Sequence, residues 1–275
     1  MGTDVILPDG SAFPQMGMGV MLIPDDAVPA AMRTAADLGY RAFDTAPVYR
    51  NEPGVGNGIR ACGVPREELF LTTKLWNGRQ GYDEALKAFD ESLAALALDY
   101  VDLYLVHWPV PRLDRYLESW KALVRLKEEG RARQIGVSNF LPHHLDRIID
   151  ETGVVPAMNQ IELHPAWQQR ELCAYHARHG IVTEAWSPLG RGGALGDPVI
   201  GGIAARHGRS PAQVILRWMT QQGISVIPKA SSEGHLRENI ESFGFDLDAD
   251  DIVAIEALDS ADGRFGPDPE TFEMM

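Results

Sequence analysis

"RAFDTAPVYRNE", residues 41–52, is the stretch on which the fold turns. Arg41, Ala42 and Phe43 read as the end of a short apolar strand, and Asp44 closes it with a carboxylate. Pro47, Asn51, Pro53 and Gly54 are turn formers, and among them stands the phenol of Tyr49. A capping Asp and a half-buried Tyr would account for one such strand, but the pattern recurs. "MGMGV" (16–20), "YRAFDTA" (40–46), "LFLTTK" (69–74), "VDLYLVH" (101–107), "RQIGVSNF" (133–140), "PAMNQIEL" (156–163), "IVTEAWS" (181–187) and "ISVIPK" (224–229) are short runs rich in β-formers.

Helical patterns separate these runs. Residues 83–97 place Leu86, Phe89, Leu93 and Leu96 on one helical face. Residues 115–129 do the same with Leu117, Trp120, Leu123 and Val124, and Gly130 supplies a stop. Ser210 and Pro211 read as the N-cap and first position of a helix through "AQVILRWMTQQ". Eight strands with a helix between neighbours imply a parallel sheet that closes into an α/β (β/α)8 TIM barrel. The Trp186–Lys229 gap is too long for one loop and one helix and holds "GRGGALGDPVIGG", so an extra loop and helix are expected at the barrel mouth. Pro8-Asp9-Gly10 marks an N-terminal β-hairpin before the barrel. No linker or repeat divides the chain, so residues 1–275 are expected to form one domain.

Composition narrows the function classes. A formal net charge of −14 argues against nucleic acid or anionic membrane surfaces as partners, though a local basic pocket can still hold a phosphate. Cys62 and Cys173 stand in no metal-ligand spacing and read as two inert thiols in a reducing compartment. "MGTDVILPDG" has neither a basic n-region nor an apolar h-region, and no run is long enough to span a bilayer. A cytoplasmic protein is expected.

Side chains at the C-terminal ends of barrel strands converge on one mouth. The ends here are Asp44, Lys74, His107, Ser138 with Asn139, Gln160, Ser187 and Lys229, polar wherever the run before is apolar. A phenol of pKa about 10 is a poor proton donor near neutrality. A cationic Lys74 would favour its ionised form, and Asp44 would hold the ammonium charged and in place. His107 could hydrogen-bond a carbonyl oxygen while resisting protonation beside a cation. The set can polarise a C=O and protonate the alkoxide that develops. No side chain supplies the hydride or other nucleophile, so a cofactor is implied.

"GYRAFDTAPVYRNE", "TTKLW", "LVHWP", "GVSNF", "NQIELHP", "WSPL" and "IPKA", in this order over essentially the full length, resemble the aldo-keto reductases. Within them the likeness is to bacterial reductases of 2,5-diketo-gluconate and similar small carbonyls. The resemblance implies Tyr49 as proton donor, Lys74 and Asp44 tuning it, and His107 orienting the carbonyl. It implies nicotinamide contacts from Ser138, Asn139 and Gln160, with Trp186 stacked on the ring. Ser187, Leu189 and Gly190 would lie over the pyrophosphate. Lys229, Ser231 and Ser232 would reach the 2'-phosphate, with Glu238 and Asn239 near the adenine. Met21, Trp76 and Trp108 would wall the substrate. NADPH is the implied cofactor, a small carbonyl compound the substrate, and a monomer the implied state.

Three positions depart from the family pattern: His235 replaces an arginine at the 2'-phosphate, Ala230 a serine, and Met21 an aromatic residue. His is mostly neutral at pH 7 where Arg offers a fixed fork, so weaker discrimination against NADH is expected. For the tail "RFGPDPETFEMM" two readings stay open, one folded over the mouth with Phe272 and one disordered. "GVGNG" (54–58) is read as a turn into a helix, because its spacing is not that of a dinucleotide loop. "GVSNF" lacks the closing glycine of a nucleophile elbow. His176 and His179 of "HARH" are read as a solvated helix face, "RLKEEGRAR" as a solvated charge run, and no metal site is expected. The competing function is a cofactor-binding regulatory subunit with little turnover. A barrel hydrolase would need a metal cluster or an activated nucleophile, and the sequence offers neither.

Overall fold

A computed structural model describes residues 3–275. The chain opens with the expected hairpin, β1 (Asp4–Ile6) antiparallel to β2 (Ala12–Pro14), with Asp9 Oδ1 accepting from the Ser11 N–H in the turn. Eight parallel strands follow in sequence order. They are β3 (Gly17–Gly19), β4 (Ala42–Asp44), β5 (Phe70–Leu75), β6 (Val101–Val106), β7 (Ala132–Ser138), β8 (Met158–Glu162), β9 (Val182–Trp186) and β10 (Ser225–Val226). Parallel bridges Met16–Val226 and Gly19–Lys229 join the first strand to the last and close the ring, so the (β/α)8 reading holds.

The helices between them are α1 (Val28–Asp37), α2 (Glu52–Ala61), α3 (Tyr82–Leu96), α4 (Tyr116–Glu128), α5 (Pro142–Thr152) and α6 (Arg170–His179). The long connection after β9 holds a 3-10 segment, Gly190–Gly196, and an added helix α7 (Pro198–His207) before α8 (Pro211–Gln221). Helix α9 (Glu233–Ile240) completes the ring of eight, and a further helix α10 (Ala249–Glu256) packs against α7. Ser210 caps α8 as its sequence implies, its Oγ accepting from the Gln213 N–H while Gln213 Oε1 accepts from the Ser210 N–H.

"GVGNG" lies inside α2 rather than in a turn before it. A Cβ on Gly56 would run into the Leu96 carbonyl oxygen at the end of α3, so glycine here serves helix–helix approach. His176 also departs from expectation. It is fully buried between Asn159 and Thr183, both at 2.9 Å, and burial pushes its pKa down to about 3. "HARH" is therefore half core and half surface.

The two-residue period of each strand divides the interior. Phe43, Leu71, Tyr104, Val106, Ile135, Val137, Ile161 and Ala185 point outward into the layer shared with the helices. Inward residues Ala42, Leu103 and Met158, with Leu105 further along β6, cluster with Leu7 and Phe13 of the hairpin region, which plugs the floor. Phe13 meets Phe70 edge-on at 4.6 Å, and burying such a ring contributes roughly 1.5–3 kcal/mol. One or two positions further along, the same inward rows carry Asp44, Lys74, Gln160 and Glu184. The polar layer is thus held above a dry floor. Among the described residues no helix is long and apolar enough to cross a membrane.

Candidate active site

At the mouth, Lys74 Nζ lies 2.6 Å from Asp44 Oδ1 and 3.0 Å from the Thr45 carbonyl oxygen. The Lys74 side chain is fully buried and Asp44 is 4% exposed, so the pair is shut away from water. Burial works against the ammonium, but Asp44, Tyr49 and Glu184 outweigh it and hold the Lys74 pKa above its usual range. Tyr49 follows β4 in a 3-10 turn, Pro47–Tyr49, with Lys74 Nζ 5.3 Å from its ring centre. Burial raises the Tyr49 pKa, and the Lys74 charge offsets this only in part. The sequence reading expected Lys74 to bring the phenol below its ordinary value, and here desolvation wins. Tyr49 accordingly stays protonated at rest.

His107 ends β6, its ring 6.1 Å from that of Tyr49 and 5.3 Å from Trp76, both edge-on. Burial first, and the Lys74 charge second, hold its pKa well below the ordinary imidazole value. A neutral imidazole results, with a buried Nδ1 that has no hydrogen-bond partner among the described residues. Asp44, Tyr49, Lys74 and His107 come from four separate segments and meet at one place.

The next ring of side chains is tied together internally. Ser138 Oγ donates to the Gln160 carbonyl oxygen at 2.8 Å. Asn139 Nδ2 donates to the His107 carbonyl oxygen and to Ser138 Oγ, and Trp186 Nε1 donates to Asn139 Oδ1 at 2.8 Å. Asn139 and Ser187 both sit at positive φ, 62° and 50°, a conformation Asn tolerates and Ser adopts less readily. Gln160 Nε2 donates to Asp44 Oδ2 at 2.9 Å and to Glu184 Oε2 at 2.7 Å. Its Oε1 has no partner among the described residues.

Lys229, Ser231, Ser232 and His235 are exposed around the start of α9, where Ser232 Oγ caps the His235 N–H. Lys229 makes no ion pair among the described residues. An exposed cation, two hydroxyls and a helix N-terminus fit a phosphate. Asn239 is turned inward, 3% exposed, in the turn where the Tyr40 hydroxyl donates to the Leu236 carbonyl oxygen, while the Glu238 carbonyl oxygen accepts from Gln213 Nε2. Leu189 and Gly190 lie half-buried between the mouth and α7.

The tail is folded over the mouth. Phe272 packs on Trp108 with ring centres 4.4 Å apart, and Asn77 Nδ2 donates to the Met274 carbonyl oxygen. Glu162 accepts from the Phe265 and Gly266 N–H groups, each at 2.9 Å, and Phe265 stacks on His164. Met21 stays exposed on the rim, Trp76 is half-buried, and Trp108 is buried beneath the tail. A cavity of about 280 Å³ runs under Arg264 and Pro267–Glu270 beside Asn139, Glu162 and Trp186. A larger one, about 760 Å³, lies at the opposite barrel end near Gln15, Asp37, Arg41 and Glu241 and touches none of these residues.

Sequence reasoning missed Glu184 and the anchoring role of Glu162. Each is a carboxylate in phase with the inward row of its strand, and that was the available signal. His143, His144 and Glu270 also bring three donor atoms together. The Leu141 N–H donates to His144 Nδ1, which leaves the hydrogen on Nε2, the wrong form for a metal ligand there.

A half-buried phenol beside a buried Asp44–Lys74 pair at a barrel mouth narrows the choice of families, and comparison with known proteins settles it. The profile of the Aldo/keto reductase family matches residues 15–260. The chain belongs to that family. It is therefore an oxidoreductase acting on carbonyls with a nicotinamide cofactor. An aldo-keto reductase of Mycolicibacterium smegmatis is 51% identical over 99% of this chain and 98% of its own. A protein of Escherichia coli O157:H7 named methylglyoxal reductase DkgA is 47% identical over 98% of each. Among solved structures, a mutant of Gox0644 in complex with NADPH superposes with a TM-score of 0.96 at 51% identity, covering all of both chains.

Proposed function

We propose that the protein reduces small aldehydes and ketones with NADPH, with α-dicarbonyls and keto-sugar acids as the substrate class. The observation that carries this is the buried Asp44–Lys74 pair placed beside a protonated Tyr49 and a neutral His107. The bound cofactor supplies the hydride. Neutral His107 donates a hydrogen bond to the substrate oxygen and orients it. Tyr49 passes its proton to that oxygen as negative charge develops there, and Lys74 stabilises the phenolate left behind. Asp44 keeps Lys74 charged and aimed. Met21, Trp76 and Trp108, with the tail over Trp108, form the apolar walls that exclude water.

Gln160 Oε1, free on the mouth side, suits a carboxamide N–H, and Trp186 offers a ring face for the nicotinamide. Ser138 and Asn139 would exchange their internal bonds for the same group. Ser187, Leu189 and Gly190 would line the pyrophosphate, and Lys229 with Ser231 and Ser232 the 2'-phosphate. His235 stands where a guanidinium would hold that phosphate more firmly, so NADH is expected to be tolerated. The tail completes the mouth from within the same chain, which supports a single-domain monomer, and the unpaired thiols of Cys62 and Cys173 support a cytoplasmic setting.

The test is oxidation of NADPH and of NADH with methylglyoxal and 2,5-diketo-gluconate as acceptors. Wild-type turnover is expected, and Tyr49→Phe is expected to lower kcat by ~10²–10⁴-fold with NADPH affinity nearly unchanged. Binding without turnover of any carbonyl would overturn the reductase reading in favour of a regulatory subunit. Loss of NADPH binding in Tyr49→Phe would show a structural role for the phenol.

A further inference from the structure

Behind the mouth, Glu184 occupies a place the proposed chemistry leaves unused. It lies on β9, in register with Gln160 of β8 on one side and Ser225 of β10 on the other, and is 1% exposed. Its Oε2 accepts from Gln160 Nε2 at 2.7 Å, and its Oε1 lies 3.2 Å from Ser225 Oγ. Burying a carboxylate this deeply is costly unless it has work to do or a proton to take.

We propose that Glu184 is a positioning residue of the reductase site, whose carboxyl fixes the Gln160 amide with its nitrogen toward Asp44 and its oxygen toward the cofactor. This rests on the reading of Gln160 as a cofactor contact. Gln160 Nε2 has two hydrogens, and the two carboxylates, Asp44 Oδ2 and Glu184 Oε2, take both. Turning the amide over would set Oε1 against two carboxylate oxygens. With Asp44 alone, one hydrogen would be free and a turn would oppose Oε1 to a single carboxylate oxygen; Glu184 takes the second hydrogen and adds a second opposing acceptor.

Glu184 can also change charge without moving. Ser225 Oγ has one hydrogen and two acceptors at the same 3.2 Å, Glu184 Oε1 and the Gln15 carbonyl oxygen. When Glu184 is ionised, Ser225 donates to it. When Glu184 is protonated at Oε1, it donates to Ser225 Oγ, and Ser225 donates onward to Gln15. The Gln160 bond on Oε2 survives in both forms. The charged groups facing Glu184 are Asp44 from β4 and Lys74 from β5; Gln160 from β8 and Ser225 from β10 are its neutral partners. Burial, and then the Asp44 charge, push its carboxyl well above the usual carboxylate range, into reach of neutral pH.

The test uses the full chain with Glu184→Gln and Glu184→Leu. Glu184→Gln keeps an acceptor for Gln160 and abolishes the titration, whereas Glu184→Leu leaves the amide held by Asp44 alone, with one hydrogen unpaired. NADPH affinity, read by tryptophan fluorescence, should stay within threefold of wild type for Glu184→Gln and weaken tenfold or more for Glu184→Leu. The wild-type rate profile from pH 5 to 9 should carry an inflection near neutrality that Glu184→Gln lacks. Thermal melts should agree. A carboxyl whose folded pKa is raised stabilises the fold below its unfolded pKa and loses that stabilisation as pH rises through the folded value. Wild type should therefore lose stability between pH 5 and 8 relative to Glu184→Gln. An inflection retained in Glu184→Gln, or wild-type NADPH affinity in Glu184→Leu, would overturn the proposal. If Glu184→Leu does not fold, the melts and pH profile of Glu184→Gln decide. If wild type reduces no carbonyl, the affinities and melts still decide Glu184, so the two readings fail separately.

Discussion

Replacing Asp44 by Asn removes a charge from a place where charge has no access to water. Lys74 Nζ is fully buried and among the described residues has Asp44 Oδ1 and the Thr45 carbonyl oxygen as acceptors, at 2.6 and 3.0 Å. The new amide can still offer one oxygen to Lys74, but its nitrogen then faces Gln160 Nε2, donor against donor. An ammonium remains buried without its counter-ion, and breaking such a pair costs about 3–5 kcal/mol. Glu184, the next carboxylate whose charge reaches Lys74, places the loss toward the lower end of that range. In a chain of this size the melting temperature should fall by roughly 6–10 °C. Lys74's folded pKa is raised above its unfolded value, so the stabilisation it brings to wild type is present below the unfolded pKa and fades only as the pH climbs through the folded one. The assay is urea unfolding at pH 7 of wild type, Asp44→Asn, Lys74→Met and the double variant. The double variant leaves no buried charge at this pair and should recover about 2 kcal/mol relative to the sum of the singles. A loss below about 1 kcal/mol for Asp44→Asn, or strict additivity in the cycle, would refute the reasoning.

Gly56→Ala drives a methyl into the Leu96 carbonyl oxygen and should destabilise the fold by more than about 2 kcal/mol in urea melts, since backbone on both sides must shift. His235→Arg should tighten NADPH several-fold while leaving NADH affinity unchanged, read by fluorescence titration; equal gains for both would refute a 2'-phosphate contact. Gly266→Ala sets a methyl against Glu162 Oε2 and the Trp186 ring and should unseat the tail, seen as faster proteolysis after residue 263 and a raised KM. An unchanged proteolysis rate would show the tail held by Phe272 and Trp108 alone.

Much of this protein was legible locally. The strand runs, the Ser210–Pro211 helix start, the hairpin turn and the polar strand ends rest on alternation, caps and turn chemistry, which act over a few residues. Asp44, Tyr49, Lys74 and His107 were singled out because each breaks an apolar run or follows one. Other features required the closed barrel. Whether His176 faced water depended on Asn159 and Thr183, and the need for glycine at position 56 appeared only where α3 approaches α2. The tail's seat over Trp108, and Glu162's hold on it, join residues about a hundred or more positions apart. The same holds for Tyr49, whose burial outweighs Lys74, and for Glu184, an unremarkable carboxylate in "VTEAW" until β8 and β10 set Gln160 and Ser225 against it. Periodicity assigns a side chain to a face. What it meets there, and how dry that place is, is determined by the segments that close over it.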